Sequence, residues 1–270
     1  MLTTVNGQKV YAYTAGHAFD PGLPSVLFVH GAANDHSVWA LQSRYFAYHG
    51  WNAIAVDLPG HGRSDGEPLS DIGAIADWVK NVMDEVGAEK AAIVGHSMGS
   101  LAALETAARH PTRISRVAMI GTAIPMPVTD VLLSTSKAND HVAYEMINVF
   151  SHSARAQIGG NQMPGGWMMG SGERLMERSG PGVLHADFTA CNSYDNGLDA
   201  AAKANCPFLL ILGQRDLMTP PRAIREAAAK FPNARTIILD GTGHALMSEQ
   251  PDAVLDALIE FLKTEQMSPA

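Results

Sequence analysis

The feature that most constrains this chain is the alternation of two hydrophobic periods along most of its length. Six short, nearly unbroken apolar runs occur at residues 25–30 (SVLFVH), 52–58 (NAIAVDL), 90–95 (KAAIVG), 116–121 (RVAMIG), 207–213 (PFLLILG) and 234–241 (ARTIILDG). Runs of this length, rich in branched side chains, suit strands buried on both faces, as in a parallel sheet. Between them lie helical patterns. Ile72, Ile75, Ala76, Val79, Val82, Met83 and Val86 recur at spacings of three and four, the period of an amphipathic helix. Residues 98–110 are rich in Ala and Leu and stop before Pro111, where a helix should end. Residues 222–231 follow two prolines suited to a helix start, and residues 252–263 carry Val254, Leu255, Leu258, Ile259 and Leu262 in an amphipathic pattern. This order predicts right-handed βαβ units on one sheet. Residues 3–16 precede it as a hairpin turning at Asn6-Gly7.

The alternation breaks between about residues 125 and 205. Residues 130–149 read as helical and residues 159–172, rich in Gly and Met, as loop. We expect residues 125–190 to form an insertion over one end of the sheet, with residues 1–124 and 191–270 as the core. A length of 270 residues suits a single α/β unit, and 46% hydrophobic with 17% charged residues excludes global disorder. A net charge of -8 argues against a nucleic-acid partner. Two cysteines are too few for a disulfide framework, and no Cys/His spacing suits zinc. Residues 1–10 are polar, unlike a signal peptide, and no apolar run is long enough to span a membrane, so a cytoplasmic location is expected.

Chemistry enters at Gly95-His96-Ser97-Met98-Gly99. The pattern G-x-S-x-G is weak by itself, but here it follows a strand-like run directly and opens a helix-like one. That strand–turn–helix setting is what a nucleophile elbow needs, and it presents Ser97 Oγ at the carboxyl end of the sheet. The alternative is a serine that merely caps a helix. A serine needs a base. Of the eleven histidines, His244 in Gly241-Thr242-Gly243-His244 follows the last strand and can reach the elbow from the C-terminal edge. His30, His61 and His96 sit at strand ends or turns and read as structural, whereas one of His141, His152 and His185 in the insertion could line a pocket. The acid that holds the imidazole is Asp216, the one carboxylate closing the 207–213 run, with Asp240 as rival. For the oxyanion hole the expected donors are the backbone N–H groups of Met98 and Ala32, the latter in the loop after residues 25–30.

Together, His30-Gly31, the string Asp57-Leu58-Pro59-Gly60-His61-Gly62-Arg63-Ser64, the elbow, Asp216 and Gly243-His244 resemble the α/β-hydrolase superfamily over residues 25–263, apart from the insertion. The resemblance implies an α/β-hydrolase fold: a mostly parallel eight-stranded sheet, helices on both faces and a helical cap inserted after the sixth strand. Haloalkane dehalogenases and epoxide hydrolases of this fold carry an aspartate nucleophile, and residue 97 is serine. The expected activity is therefore ester, thioester or lactone hydrolysis through an acyl-enzyme, with no metal or organic cofactor. Carbon–carbon bond hydrolysis, acyl transfer or perhydrolysis on the same residues is the alternative, in which Arg155, Arg174 or Arg178 would bind a carboxylate. A ligand-sensing protein is the third reading. The expected partner is a small molecule, and the protein is expected to be a monomer or homodimer. For the pocket, His36, Trp39, Met126 and Trp167 are candidates, with Met163, Met168, Met169 and Met176 as further adaptable apolar lining.

Overall fold

The computed structural model describes residues 1–160, 162, 166–231 and 233–263. The chain opens with the hairpin β1 (Leu2–Val5) and β2 (Gln8–Tyr13), in which Asn6 and Gly7 take φ of 51° and 80°, the left-handed values a type I′ turn demands. There follow β3 (Ser25–Val29), α1 (Ala40–Ala47), β4 (Asn52–Val56), α2 (Ile72–Val86), β5 (Ala91–His96), α3 (Met98–Arg109) and β6 (Ile114–Ile120). Next comes a purely helical stretch: α4 (Asp130–Lys137), α5 (Val142–Ser151), α6 (Ala154–Gln157), α7 (Met168–Met176), α8 (Val183–Ser193) and α9 (Gly197–Lys203). The core resumes with β7 (Phe208–Gly213), α10 (Arg225–Ala228), β8 (Ala234–Leu239), α11 (Leu246–Glu249) and α12 (Pro251–Lys263).

The eight strands form one sheet in the order β1-β2-β4-β3-β5-β6-β7-β8. The pairings β1–β2 and β2–β4 are antiparallel, and all others are parallel. Period-two alternation divides the core between the two faces of the sheet. On β3, Leu27 and Val29 join the apolar cluster that includes α2 and α3, whereas Val26 and Phe28 join the one that includes α1 and α12. A third cluster, with Leu132, Met176, Leu184 and Phe188, packs the inserted helices on Ala33 of the core.

Helix ends follow local chemistry. Asp71 caps α2 by accepting from Ala74 N at 2.7 Å, and Gly87 in the left-handed region closes it. The structure differs from several of these local expectations. The helical 130–149 segment is split, because Asn139 at φ 53° turns the chain between α4 and α5. The loop read at 159–172 gives way to α7 at Met168. Residues 222–231 form only a 3-10 turn and the one-turn α10. The run 234–241 holds the edge strand β8, last in the sheet order, with Ile238 54% exposed. Helix α8 runs past residue 190 to Ser193. Among the described residues no helix is long and apolar enough to cross a membrane.

Candidate active site

Ser97 stands between β5 and α3 at φ 51°, ψ -120°, a strained conformation for a residue with a side chain. The turn is possible because both flanking glycines are closely approached. A Cβ on Gly95 would overlap Gly99 O, and one on Gly99 would overlap Val29 O and His30 O. Ser97 N donates to Ile120 O at 2.9 Å, and Ser97 O accepts from Ser100 N at 2.8 Å, so the elbow is pinned on both sides.

Asp216 and His244 are brought together from separate loops. Asp216, 3% exposed, follows β7, and its Oδ1 accepts from Met218 N at 2.8 Å and Thr219 N at 2.7 Å. Its Oδ2 accepts from Thr219 Oγ1 at 2.7 Å and lies 2.8 Å from His244 Nδ1. Burial pushes this carboxyl up, but the charge of His244 and the bonds from His244 and Thr219 outweigh it and hold the pKa down at about 2. Asp216 is thus a carboxylate at any working pH, and Nδ1 of His244 carries the proton that faces it. Nε2 is then the nitrogen with a lone pair to accept a proton. Asp240 is exposed, and its carboxylate is not a partner of His244.

Among the described residues neither backbone N–H expected for an oxyanion has a hydrogen-bond partner. In the loop after β3, Asn34 N bonds Gly31 O and Ala33 N bonds Asp187 Oδ2 at 2.8 Å, and Ala32, between them and Gly31, lines the cavity. Met98 N opens α3, where the first N–H groups have no helical acceptor. The three structural histidines hold this frame. His30 Nδ1 bonds Gly31 O at 2.8 Å while Nε2 accepts from Leu58 N at 3.1 Å. Burial and the neighbouring His61 keep it neutral, with a pKa near 4. His61 binds two acceptors, Pro59 O and Asp187 Oδ2, each at 3.0 Å. Burial alone would lower its pKa, but the Asp187 carboxylate raises it. Asp187 of α8 therefore ties the inserted helices to the Ala33 loop. His96 Nε2 donates to His244 O at 2.9 Å, and burial together with His244 pushes its pKa down to about 3.

Ser97, His244, His96 and Ala32 line one cavity of about 460 Å³, covered by residues of α5, α7 and α8. Met168 and Met176 line it as expected. The four named pocket candidates do not. Trp39 is fully buried in the apolar cluster that includes α1 and α12, its ring 5.4 Å from Phe28. Met126 is packed in the main core beside Ala123 and Ile124. Trp167 is 70% exposed, with its ring laid over Gly170. His36 turns to Asp57, with Nδ1 and N at 2.8 Å and 2.7 Å from Oδ1, and packs on Tyr11 and Tyr13. Met169 is not a lining residue, Arg155 lies against Gly160, and Met163 falls outside the described residues. Of the three histidines of the insertion, His152 is the one that lines the cavity, and the residues overlooked are Met218 and Met247. Met218 and Met247 lie two and three positions after Asp216 and His244, so the loops that deliver those residues also wall the cavity.

Glu249, 6% exposed, joins the histidine loop to the inserted helices. Its Oε1 accepts from Gly243 N and Ser153 N, each at 3.1 Å, and its Oε2 from Ser153 Oγ at 2.6 Å. Glu249→Ala strands three buried donors, so we expect a loss of roughly 3 kcal/mol of stability. Because His244 is then less firmly placed, kcat should also fall by about 10²-fold. Denaturant unfolding and steady-state kinetics check both. A variant that loses stability but keeps kcat would show that Glu249 does not position His244.

Comparison with known proteins gives a consistent picture. A family model described as alpha/beta hydrolase fold matches residues 24–251. The chain is 27% identical to epoxide hydrolase A of Mycobacterium tuberculosis, over 97% of this chain and 96% of that protein. Among solved structures it superposes on the enol-lactonase from Burkholderia xenovorans with a TM-score of 0.84 at 22% identity, covering 98% of this chain and 100% of that one. An esterase from Exiguobacterium antarcticum gives a TM-score of 0.84 at 18% identity, with 98% and 99% covered.

Proposed function

The chain belongs to the α/β-hydrolase family, and on that premise we propose that it is a serine hydrolase that cleaves a carboxylic ester or lactone of a small, partly apolar molecule. The observation that carries the proposal is the linked set Asp216 Oδ2, 2.8 Å from His244 Nδ1, with that histidine in one cavity with the strained Ser97. His244 Nε2 takes the Ser97 proton as Oγ attacks the carbonyl, and Met98 N and Ala32 N stabilise the oxyanion. Proton return from His244 to the leaving oxygen yields the acyl-enzyme. Water, deprotonated by His244, then releases the acid.

The epoxide-hydrolase relative does not carry the same chemistry over, because residue 97 is serine where epoxide hydrolases of this fold use aspartate. An enol-lactonase and an esterase share the fold, in keeping with acyl chemistry. Carbon–carbon cleavage of an acid substrate has less support. Arg174 and Arg178 reach the cavity rim, but Arg174 pairs with Glu173 and Glu177, and Arg178 lies 3.4 Å from Asp35. Cys191 and Cys206 are buried free thiols, in keeping with a cytoplasmic protein.

Labelling with an organophosphonate fluoride, followed by intact-mass and peptide mapping, tests the activated serine. One adduct on Ser97, absent from Ser97→Ala, is expected. An unlabelled, folded protein would overturn the hydrolase reading in favour of ligand sensing.

A further inference from the structure

Ser151, His152 and Ser153, at the end of α5, are fastened to the histidine loop on both sides. Ser151 O accepts from His244 N at 2.7 Å and Ala245 N at 2.9 Å, while Ser153 N and Oγ bond Glu249 at 3.1 and 2.6 Å. His152 lies between these clasps, so its backbone is held beside the His244 loop by the residues on either side of it. Its ring is oriented as well. Nδ1 lies 2.8 Å from Asn148 O, one helical turn earlier. A carbonyl oxygen only accepts, so Nδ1 carries the proton and Nε2 of the neutral ring is an acceptor. His152 is 7% exposed and lines the cavity, and no partner for Nε2 is present among the described residues.

Asn148 has the same polarity. Its Nδ2 donates to Met169 O at 2.7 Å, which fixes the amide orientation and leaves Oδ1 buried without a partner among the described residues. A Cβ on Gly172 would stand 3.1 Å from that Oδ1 and 3.6 Å from the His152 ring, so the missing side chain keeps this corner open. Around it Ile147, Met168 and Leu175 supply apolar lining, with Ser171 and Arg174 also on this wall. Two unpartnered acceptors set in apolar lining are mismatched to a plain alkyl chain or to a carboxylate placed against them, but they suit a group that donates a hydrogen bond.

Resting on the hydrolase reading above, we propose that His152 is a substrate-binding residue whose Nε2 accepts a hydrogen bond from a hydroxyl or amide N–H of the substrate, with Asn148 Oδ1 as a second acceptor behind it. The enzyme thus discriminates for esters or lactones that carry a donor away from the scissile carbonyl.

Three matched ester series test this, each varied in chain length on the acyl and on the alcohol side: alkyl, hydroxyl- or acetamido-bearing, and carboxylate-bearing. For wild type, at least one donor-bearing ester should exceed its alkyl analogue in kcat/KM by about tenfold or more. His152→Phe should bring that ratio close to one, and His152→Gln, which keeps an acceptor, should restore part of it. Gly172→Ala, which fills the corner without touching the histidine loop, should lower the ratio independently. Because the ratio is taken within each variant, a general loss of activity or of folded protein cancels. The assignment falls if wild type prefers no donor-bearing ester, if it prefers the carboxylate series, or if His152→Phe leaves the ratio unchanged. Absence of any cleavage that depends on Ser97, across all three series, would instead bring down the hydrolase reading itself.

Discussion

Replacing Ser97 by Ala, or His244 by Ala, should each lower kcat by roughly 10⁴–10⁶-fold, and the double variant should be little worse than either. The reason lies in the division of labour. Ser97 Oγ is a weak nucleophile until a base takes its proton, and His244 Nε2 has nothing to deprotonate once the hydroxyl is gone. The groups act as a unit, so the second substitution removes what the first has already disabled. What survives is the part of the site neither change touches: Met98 N at the start of α3, Ala32 N in the loop after β3, and the cavity wall. These should sustain a residual rate on the order of 10³-fold above water. Neither variant should unfold the protein, because the elbow is pinned through backbone bonds of residue 97 to Ile120 and Ser100 rather than through its side chain. Single-turnover rates on one ester, with melting temperatures for each variant, give the cycle. Losses that add, with the double variant far below both singles, would mean that Ser97 and His244 serve separate steps.

How much of this was legible in the sequence follows from the range over which each feature is determined. Helix α2 was readable over Ile72–Val86 because its period is contained in the segment, and Asp71 and Gly87, which bound it, are its immediate neighbours in sequence. The elbow was readable because Gly95 and Gly99 are required by contacts that any strand–turn–helix of this tightness creates. Asp216 and His244 were placed by strand order alone, each being the suitable residue just after its strand. The cavity wall was not readable, because it depends on how α5, α7 and α8 lie over the sheet, and no local pattern encodes that. Trp39 and Met126 are large apolar residues near the right loops, yet their side chains point into core. His152 gave no signal of its own. It matters because Ser151 and Ser153 meet Gly243, His244, Ala245 and Glu249 about a hundred residues away in sequence.

Asp216→Asn should lower kcat by about 10⁴-fold while leaving the fold intact, and the local hydrogen bonds say why so small a change is so costly. Met218 N and Thr219 N both donate to Oδ1, at 2.8 and 2.7 Å. Two donors at that position demand an oxygen, so the asparagine carbonyl must stay there and its amide nitrogen must take the place of Oδ2. That place faces His244 Nδ1 at 2.8 Å and Thr219 Oγ1 at 2.7 Å. The Thr219 hydroxyl can rotate and accept one amide hydrogen. The other points at His244 Nδ1, which must then accept, so the ring proton moves to Nε2. A protonated Nε2 cannot take the Ser97 proton, and the base is lost with every heavy atom still in position. In wild type the proton stays on Nδ1 because Asp216, with its pKa near 2, is ionised throughout the working range. Nitrogen chemical shifts of the His244 ring should therefore show the proton on Nδ1 in wild type and on Nε2 in the variant, alongside the fall in kcat. A variant with unimpaired kcat, or with the proton still on Nδ1, would mean that another group holds His244, and Asp216 would lose its place in the mechanism.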